Sequence, residues 1–259
     1  MNTVEVRDML AEDEPFVGTC GHVGETEEID HAAKIRMAWL KDMIDKGLRI
    51  KVAAMEGKPV GKAYVMPIEI YPWALTGRDI LAMPCIWVPP QYQNQGVGRA
   101  LVAEAVAEAN WQGKSALAVL CYAGEGWFMP ATFFAKQGFA AINQRGSEVL
   151  LWRPLNYSAE PPEFMERQYV FDPIPGKVAV DLFWNSFCLT SVNEAGRVRD
   201  VVGEFGDQVV LREYVADDRM VLMQYQIPRG IMVNGQEVGW GYAAPRDKIR
   251  EAIQEALGG

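Results

Sequence analysis

Apolar residues recur along the first part of the chain at helical and strand spacings. Ile35, Trp39 and Met43 lie four residues apart and predict an amphipathic helix that Asp30 caps and that extends to about residue 46. Apolar runs then alternate with turns, which predicts the strands LRIKVAAM, VGKAYVMPIEIY and DILAMPCIWV, the last of them ending at Pro89. The pattern therefore predicts one helix followed by three strands.

The helical spacing returns in the middle of the chain. Gly98 opens a predicted helix that extends to about residue 110, and the strand ALAVLC follows it. A helix over about residues 131–137 ends at Gly138 and precedes the strand EVLLWRPL. Further on, the pattern predicts the strands VAVDLFW and QVVLREYV, the intervening helix TSVNEAGRVRDVVGEF, a hairpin of GIMV and EVGW around Asn234-Gly235, and the final helix PRDKIREAIQEALGG.

A shift in composition separates the two halves of the chain. Residues 155–177 contain four prolines and show no sustained periodicity. We therefore predict a domain over residues 1–155, a linker over residues 156–176 and a smaller domain over residues 177–259. Since helices and strands are mixed along both halves, the fold class is α/β, or more broadly α+β.

Composition and charge restrict the function. The net charge of −9 opposes a nucleic-acid partner, because binding to phosphates needs clustered Lys and Arg. No apolar run is long enough to cross a membrane, and the first residues do not resemble a signal peptide, so we expect a cytoplasmic protein. The four cysteines lie far apart, so reduced thiols are expected. Cys20 and His22 suggest a metal site, but further ligands at suitable spacing are missing, so no metal is predicted.

The segment WVPPQYQNQGVGRALV joins a strand to a helix through a glycine-containing loop. Backbone N–H groups at a helix start can bind a pyrophosphate if no side chain blocks the approach, and Gly96 and Gly98 remove that obstacle. The dinucleotide pattern G-x-G-x-x-G fails because Leu101 replaces its third glycine. The P-loop pattern that would end at Gly113-Lys114-Ser115 fails because Glu108 occupies its first glycine position.

What remains is Q-x-x-G-x-G, and it resembles the pyrophosphate loop of the GNAT N-acetyltransferases. ATFFAKQGF, further along, resembles the second motif of that family. The resemblance covers about residues 1–155 and implies a mixed, splayed sheet with helices on both faces and acetyl-CoA as co-substrate. It implies that the cofactor is bound by Ile86, Trp87, Val88, Gln93, Asn94, Gln95, Gly96, Val97, Gly98, Arg99, Phe133 and Phe134.

The catalytic residues of that family are matched only in part. The amide of Val88 can stabilise the oxyanion, but Phe134 stands where the family often has a proton-donating tyrosine. A carboxylate base is also absent from residues 82–88. Tyr122, Glu69 and Tyr64 are the candidate replacements.

The second half carries a single thiol at a predicted helix start. Cys188 follows the strand VAVDLFW, and Pro228 precedes GIMV, so this half resembles a thioredoxin-like domain with a cis proline that faces the cysteine. Ser191 replaces the resolving cysteine of that family, and Leu182 replaces its buried acid, since neighbouring Asp181 should face the other side of the strand. The two halves together resemble the YoaP-type fusion proteins.

The sequence therefore predicts an N-acetyltransferase that moves an acetyl group from acetyl-CoA to the amine of a small acceptor. Two alternatives remain open, a thiol-handling protein that uses Cys188 and a non-catalytic coenzyme A sensor. No nucleic acid or membrane partner is expected, and a homodimer is left open.

Overall fold

A computed structural model describes residues 3–124, 128–217, 219–239 and 245–258. Its contacts divide the chain into two compact units. The first unit consists of residues 1–21, 40–71 and 75–165, and the second of residues 22–39, 72–74 and 166–259. This division assigns two N-terminal segments to the second unit, and the domain boundaries predicted from the sequence stay a prediction.

The first unit is built on a mixed sheet whose strands follow the order β1-β2-β3-β5-β7-β9-β8, with β6 paired to β3 and with β4 and β10 forming a separate pair. The predicted mixed α/β fold is confirmed. The strands are β1 Glu5–Asp8, β2 Arg49–Met55, β3 Lys58–Pro67, β4 Leu75–Thr76, β5 Ile80–Met83, β6 Ile86–Trp87, β7 Ala116–Tyr122, β8 Ala140–Arg145, β9 Glu148–Pro154 and β10 Glu163–Phe164. The helices are α1 Glu14–Thr19, α2 Glu27–Asp45, α3 Val97–Trp111 and α4 Ala131–Ala135.

The segment DILAMPCIWV forms two strands rather than the single strand that was predicted. Pro84 lacks a backbone N–H group and separates β5 from β6. β5 pairs with β7 from Ile80↔Ala116 to Met83↔Val119, whereas β6 pairs with β3. Beyond Val119, β7 pairs with β9 alone among the described strands. A gap therefore opens between β6 and the end of β7, and the predicted splay of the sheet is confirmed.

Helix α2 begins earlier than the sequence pattern indicated, because its cap is Thr26 and not Asp30. The Thr26 hydroxyl accepts a hydrogen bond of 3.2 Å from the backbone N–H of Ile29, and the Asp30 N–H already donates to the Thr26 carbonyl. Residues that accept such bonds at the helix start satisfy amides that would otherwise lack partners. Asp30 lies in the first turn, where its negative charge interacts favourably with the positive end of the helix dipole.

Helix α3 packs closely on the sheet at Gly61 of β3. A Cβ atom on Gly61 would lie 2.8 Å from a methyl group of Val97, 3.1 Å from Leu101 and 3.3 Å from Val88. A contact of 2.8 Å is shorter than side chains tolerate. The start of α3 can therefore approach β3 this closely only because Gly61 has no side chain. Val97 and Leu101 are both fully buried in the core of this unit.

The second unit holds a four-stranded sheet with the order β12-β11-β13-β14. β11 runs parallel to β12 and antiparallel to β13, and β13 and β14 form the predicted hairpin around Asn234-Gly235. A short helix, α6, joins β12 to β13 and was not predicted. The elements are β11 Val178–Trp184, α5 Leu189–Gly203, β12 Val209–Val215, α6 Arg219–Tyr225, β13 Gly230–Val233, β14 Gln236–Val238 and α7 Arg246–Gly258.

The two faces of β11 have different neighbours, as the alternation of its side chains predicted. Leu182 lies in the core formed with α5 and α7. Asp181, on the other face, accepts hydrogen bonds from the Tyr169 hydroxyl at 2.6 Å and from the Arg212 guanidinium at 2.7 Å. The expectation of a cis peptide bond at Pro228 is wrong, since every peptide bond among the described residues is trans.

Among the described residues, no helix combines the length and the apolar character that a bilayer span requires. The predicted strand EVGW ends in part outside the described residues, because Trp240 is not among them.

Candidate functional site

The chain turns sharply between β6 and α3. A 3-10 turn over Pro90–Tyr92 uses the N–H groups of Tyr92 and Gln93, which donate to the carbonyls of Pro89 and Pro90 at 2.9 and 3.2 Å. Asn94 and Gly96 then adopt positive φ angles of 59° and 86°. Glycine and asparagine tolerate this left-handed conformation better than other residues, which is why this sequence can make the turn.

The loop leaves a row of amides free of protein acceptors. Within the part of the chain that the structure describes, none of the backbone N–H groups from Asn94 to Arg99 donates to a protein group, and the first helical bond runs from Ala100 to the Gly96 carbonyl at 3.0 Å. These amides precede and begin a 15-residue helix, whose dipole adds positive potential at this end. The predicted loop thus has the arrangement that an anionic group requires.

Phe133 links this loop to the second motif of the sequence. A Cβ atom on Gly98 would lie 3.2 Å from the Phe133 ring, so a side chain there would require the ring to move by a few tenths of an ångström. Phe133 is partly exposed, whereas Phe134 has no exposed surface. Phe134 packs edge-on against Phe133 and Phe139, with ring centroids 5.0 and 5.8 Å apart. Phe134 is therefore a core residue by position, and its contact with a cofactor stays a prediction.

The edge of β6 that faces the gap can be assigned from its hydrogen bonds. The Cys85 carbonyl accepts a bond of 3.0 Å from the Tyr64 N–H on β3. Because strand residues point their backbone groups alternately to the two sides, Trp87 also faces β3, while Ile86 and Val88 face the gap. The structure thus places the backbone of Ile86 on the open edge, and the same alternation continued past the end of β6 puts Val88 there. The indole N–H of Trp87 is buried and has no hydrogen-bond partner among the described residues.

The candidate catalytic side chains occupy different environments. Tyr122 ends β7, is partly buried, and its N–H donates to the Met129 carbonyl at 3.1 Å. Glu69 is exposed in a 3-10 turn over Ile68–Ile70 that follows β3. Tyr64 has no exposed surface, so it is less suited than Tyr122 to contact a substrate. The catalytic roles of these residues stay predictions.

Tyr71 is a buried residue near the gap that sequence reasoning missed. Burial raises the pKa of its hydroxyl well above the ordinary value, and the hydroxyl hydrogen-bonds the backbone of Leu120 on β7. It is therefore neutral at physiological pH and supports the strand beside the gap. No local signal in the sequence distinguishes it from an ordinary buried tyrosine.

In the second unit, Asn185 organises the loop that carries Cys188. Its side-chain oxygen accepts the Cys188 N–H at 3.1 Å, and its side-chain nitrogen donates to the Pro228 carbonyl at 2.9 Å. The Asn185 N–H donates to the hydroxyl of Ser191, which is fully buried. The Cys188 thiol is partly exposed at the N-cap of α5, 3.1 Å from the Thr190 hydroxyl. Asn185 was missed because asparagine three residues before a helix start is a weak signal on its own.

Phe187, next to Cys188, is clamped by residues from the two N-terminal segments of the second unit. Arg36 is buried and donates to the Phe187 carbonyl at 2.7 Å, with its guanidinium 5.5 Å from the ring centre. Trp39 and Trp73 contact the ring edge-on, with centroids 5.6 and 5.5 Å away. The residue before the thiol is thus held in place from several sides.

The remaining cysteines and histidines do not form a metal site within the described residues, where no group of three or more His, Cys, Asp or Glu could hold an ion. His22 contacts the Glu25 carboxylate at 3.0 Å. Cys85 and Cys121 are buried, which confirms their assignment to the core. Burial raises the pKa of the Cys121 thiol.

Comparisons with known proteins agree with the class that this geometry suggests. Residues 46–141 match the family model described as an acetyltransferase (GNAT) domain. Over these residues the chain is similar to GNAT acetyltransferase domains, which supports an acyltransferase. No curated protein matches the chain.

Solved structures with similar folds include a proposed GNAT-family acetyltransferase from Desulfovibrio desulfuricans, at 21% identity and a TM-score of 0.48, covering 60% of this chain and 100% of that one. The PaiA N-acetyltransferase from Thermoplasma acidophilum, in complex with coenzyme A, is 14% identical with a TM-score of 0.43 and covers 59% and 99%. The ribosomal-protein-alanine N-acetyltransferase from Brucella melitensis is 22% identical with a TM-score of 0.44 and covers 58% and 99%.

Proposed function

We propose that the protein is an acetyl-CoA-dependent N-acetyltransferase that acts on the amine of a small acceptor. The observation that carries this proposal is the row of amides from Asn94 to Arg99, free of protein acceptors at the start of α3 and beside the gap in the sheet. A diphosphate is the group that such a row binds best, because its charge meets several N–H donors and the helix dipole together.

The cofactor would extend from this loop along the open edge of β6. The backbone groups of Ile86 face the gap and can pair with the amides of the pantetheine arm, as an added strand would. The Trp87 side chain would also contact the cofactor. Phe133 would lie beside the pantetheine arm, next to Gly98. Acetyl-CoA supplies the activated acetyl group, and no metal is required for transfer from a thioester.

Three groups would carry the reaction. The Val88 N–H would stabilise the oxyanion that forms when the acceptor amine attacks the thioester. Tyr122, at the end of the strand across the gap, would protonate the departing thiolate. Glu69 would take the proton from the acceptor amine, through water where the distance requires it, since its side chain is exposed after β3.

Tyr122→Phe is expected to lower kcat about a hundredfold, because general acid catalysis contributes roughly that factor. The affinity for coenzyme A should change less than about twofold, since the ring remains. Steady-state kinetics with calorimetric titration of coenzyme A would measure both. Tyr157→Phe, on a fully exposed tyrosine, is the matched control. An unchanged kcat in Tyr122→Phe would remove Tyr122 from the mechanism.

Turnover of acetyl-CoA over a broad panel of primary amines tests the proposal as a whole. Release of free thiol that depends on one class of amine supports it and identifies the acceptor. Tight coenzyme A binding without turnover on any amine would favour the sensor alternative. Absence of coenzyme A binding would contradict both.

We also propose that residues 177–259 form a thioredoxin-like domain, that residues 156–176 link it to the first domain, and that the whole chain is YoaP-like. The strand order β12-β11-β13-β14, with β13 antiparallel to β11 and a closing helix α7, supports this. A thiol-handling role is the second candidate function, because Cys188 is partly exposed at a helix start. Because Ser191 stands where a resolving cysteine would be, Cys188 cannot form an internal disulfide at this helix turn.

Cys188→Ser separates the two candidate functions. Under the acetyltransferase proposal, kcat/KM for the best amine should stay within about twofold of the wild type, since serine keeps the contact to Thr190. Labelling by a maleimide should fall at the same time if Cys188 is the accessible thiol. Cys121→Ser, at a buried position, controls for general loss of thiols. Loss of turnover with retained coenzyme A binding would favour the thiol-handling role.

The proposal includes a cytoplasmic location, a small-molecule amine as the partner, and no nucleic acid or membrane. Homodimer formation is left open within it.

A further inference from the structure

Gln93, the first residue of the loop motif, is tied to the strand rather than directed at the row of free amides. Its side-chain nitrogen donates a hydrogen bond of 2.9 Å to the Val88 carbonyl. This bond closes a ring of six residues around Pro89 and the 3-10 turn over Pro90–Tyr92. Because the prolines fix their own φ angles, the ring has little freedom left.

The Val88 carbonyl and the Val88 N–H belong to neighbouring peptide groups that meet at the Val88 Cα, so holding the carbonyl restrains the N–H. In an extended strand the N–H and C=O of one residue lie on the same edge, and the alternation of β6, continued by one residue, puts those of Val88 on the edge that faces the gap. A carbonyl without a donor on this edge would repel an oxygen that approaches the Val88 N–H, because both oxygens carry negative partial charge. The Gln93 side chain donates a hydrogen bond to the Val88 carbonyl. The Val88 N–H then remains as the polar group that faces the gap.

We propose that Gln93 is a positioning residue for acyl transfer, which holds the Val88 peptide so that its N–H meets the oxyanion, and that it does not itself bind the diphosphate. This inference rests on the proposed function. It separates two parts of the motif that lie next to each other in sequence: Gln93 positions the Val88 N–H, and the amides that follow hold the phosphates.

The test is Gln93→Met, which keeps the length of the side chain and removes its donor. We expect kcat to fall about fivefold, as loss of one exposed hydrogen bond allows, while the dissociation constant of coenzyme A changes less than about twofold. Gln93→Glu, which cannot donate either, should lower kcat at least as much. Gln144→Met is the matched control, because Gln144 donates a bond of the same length, 2.9 Å, to a backbone carbonyl in the β8–β9 turn.

A second measurement does not depend on activity. In the free protein, the carbonyl ¹³C resonance of Val88 should move upfield in Gln93→Met and stay unchanged in Gln144→Met, since hydrogen bonding to a carbonyl shifts that resonance downfield. An unchanged Val88 resonance, or weaker coenzyme A binding at unchanged kcat, would overturn the inference. Failure of the wild type to bind coenzyme A would instead contradict the proposed function, and the Val88 resonance would still decide whether Gln93 holds the peptide.

Discussion

Replacement of Gly96 and Gly98 by glutamate together is expected to weaken coenzyme A binding at least about a hundredfold, which corresponds to roughly 3 kcal/mol. Two carboxylates would lie among the amides that the diphosphate needs, and they would repel it. The Gly98 side chain would also meet the Phe133 ring, 3.2 Å from its Cβ position. Calorimetric titration of coenzyme A into wild type and variant measures the loss directly.

The matched control is Gly113→Glu with Gly146→Glu. Both glycines have positive φ angles, of 66° and 59°, and an added Cβ would meet nothing within 4 Å. The control therefore adds the same charge and at least as much backbone strain, yet leaves the loop intact. Equal affinity of the loop variant and the wild type for coenzyme A would show that the diphosphate binds elsewhere.

Glu108→Gln is expected to lower the free energy of unfolding of the first unit by about 2–3 kcal/mol. Glu108 on α3 and Lys51 on β2 form a buried ion pair of 2.7 Å, with side chains 8% and 6% exposed. The variant leaves the Lys51 ammonium with Asp8 at 2.8 Å and Glu104 at 3.4 Å, so the loss is smaller than for a fully unpaired charge. Urea unfolding followed by circular dichroism measures the change.

The Glu108–Lys51 pair also makes the predicted loss of stability depend on pH. Burial alone would raise the pKa of Glu108, but hydrogen bonds from Lys51 and Gln112 lower it below the ordinary value of 4.5. A lowered folded-state pKa adds stability above pH 4.5 that is lost as the pH falls through the folded-state value. The difference between wild type and Glu108→Gln should therefore be complete at pH 7 and shrink below about pH 4.5.

Lys46→Met provides the control for this prediction. Asp42 on α2 and Lys46, the first residue after this helix, form an exposed pair of 2.7 Å, and such pairs contribute less than about 1 kcal/mol. A Glu108→Gln variant that costs no more than Lys46→Met, or whose cost does not depend on pH, would contradict the assignment of this buried pair.

The turn between β6 and α3 could be predicted because its conformation depends on local sequence. The positive φ of Gly96, the helix start at Val97 and the sequence of polar residues before it all depend on neighbours in the chain. The same holds for the hairpin at Asn234-Gly235. Signals of this kind do not need knowledge of the tertiary fold.

Elements with weak local patterns were missed. Strand β8 is an exposed edge strand in which no residue is buried, so it lacks the apolar alternation that identifies a strand. The break at Pro84 was visible in the sequence, but the apolar residues on both sides of it suggested one continuous strand. The trans peptide bond at Pro228 and the start of α2 at Glu27 depend on packing and capping choices that the pattern did not resolve.

The side chains that complete the site depend on long-range contacts. Phe133 and Phe134 are adjacent in sequence, yet one borders Gly98 and the other lies in the core. The bond from Gln93 to Val88 and the clamp of Arg36, Trp39 and Trp73 on Phe187 join residues that no local pattern connects. These contacts could be assigned only once the strands and helices had been placed.

Gly61 of β3 determines how closely the first turn of α3 can approach the sheet. Any side chain at this position would act as a wedge between β3 and the first turn of α3, because Val97 lies only 2.8 Å from the Cβ position. Tilting that turn would spread the amides that follow Asn94 without altering their number or charge. The affinity for phosphate would then depend on the size of one buried side chain at position 61, which lies outside the loop itself.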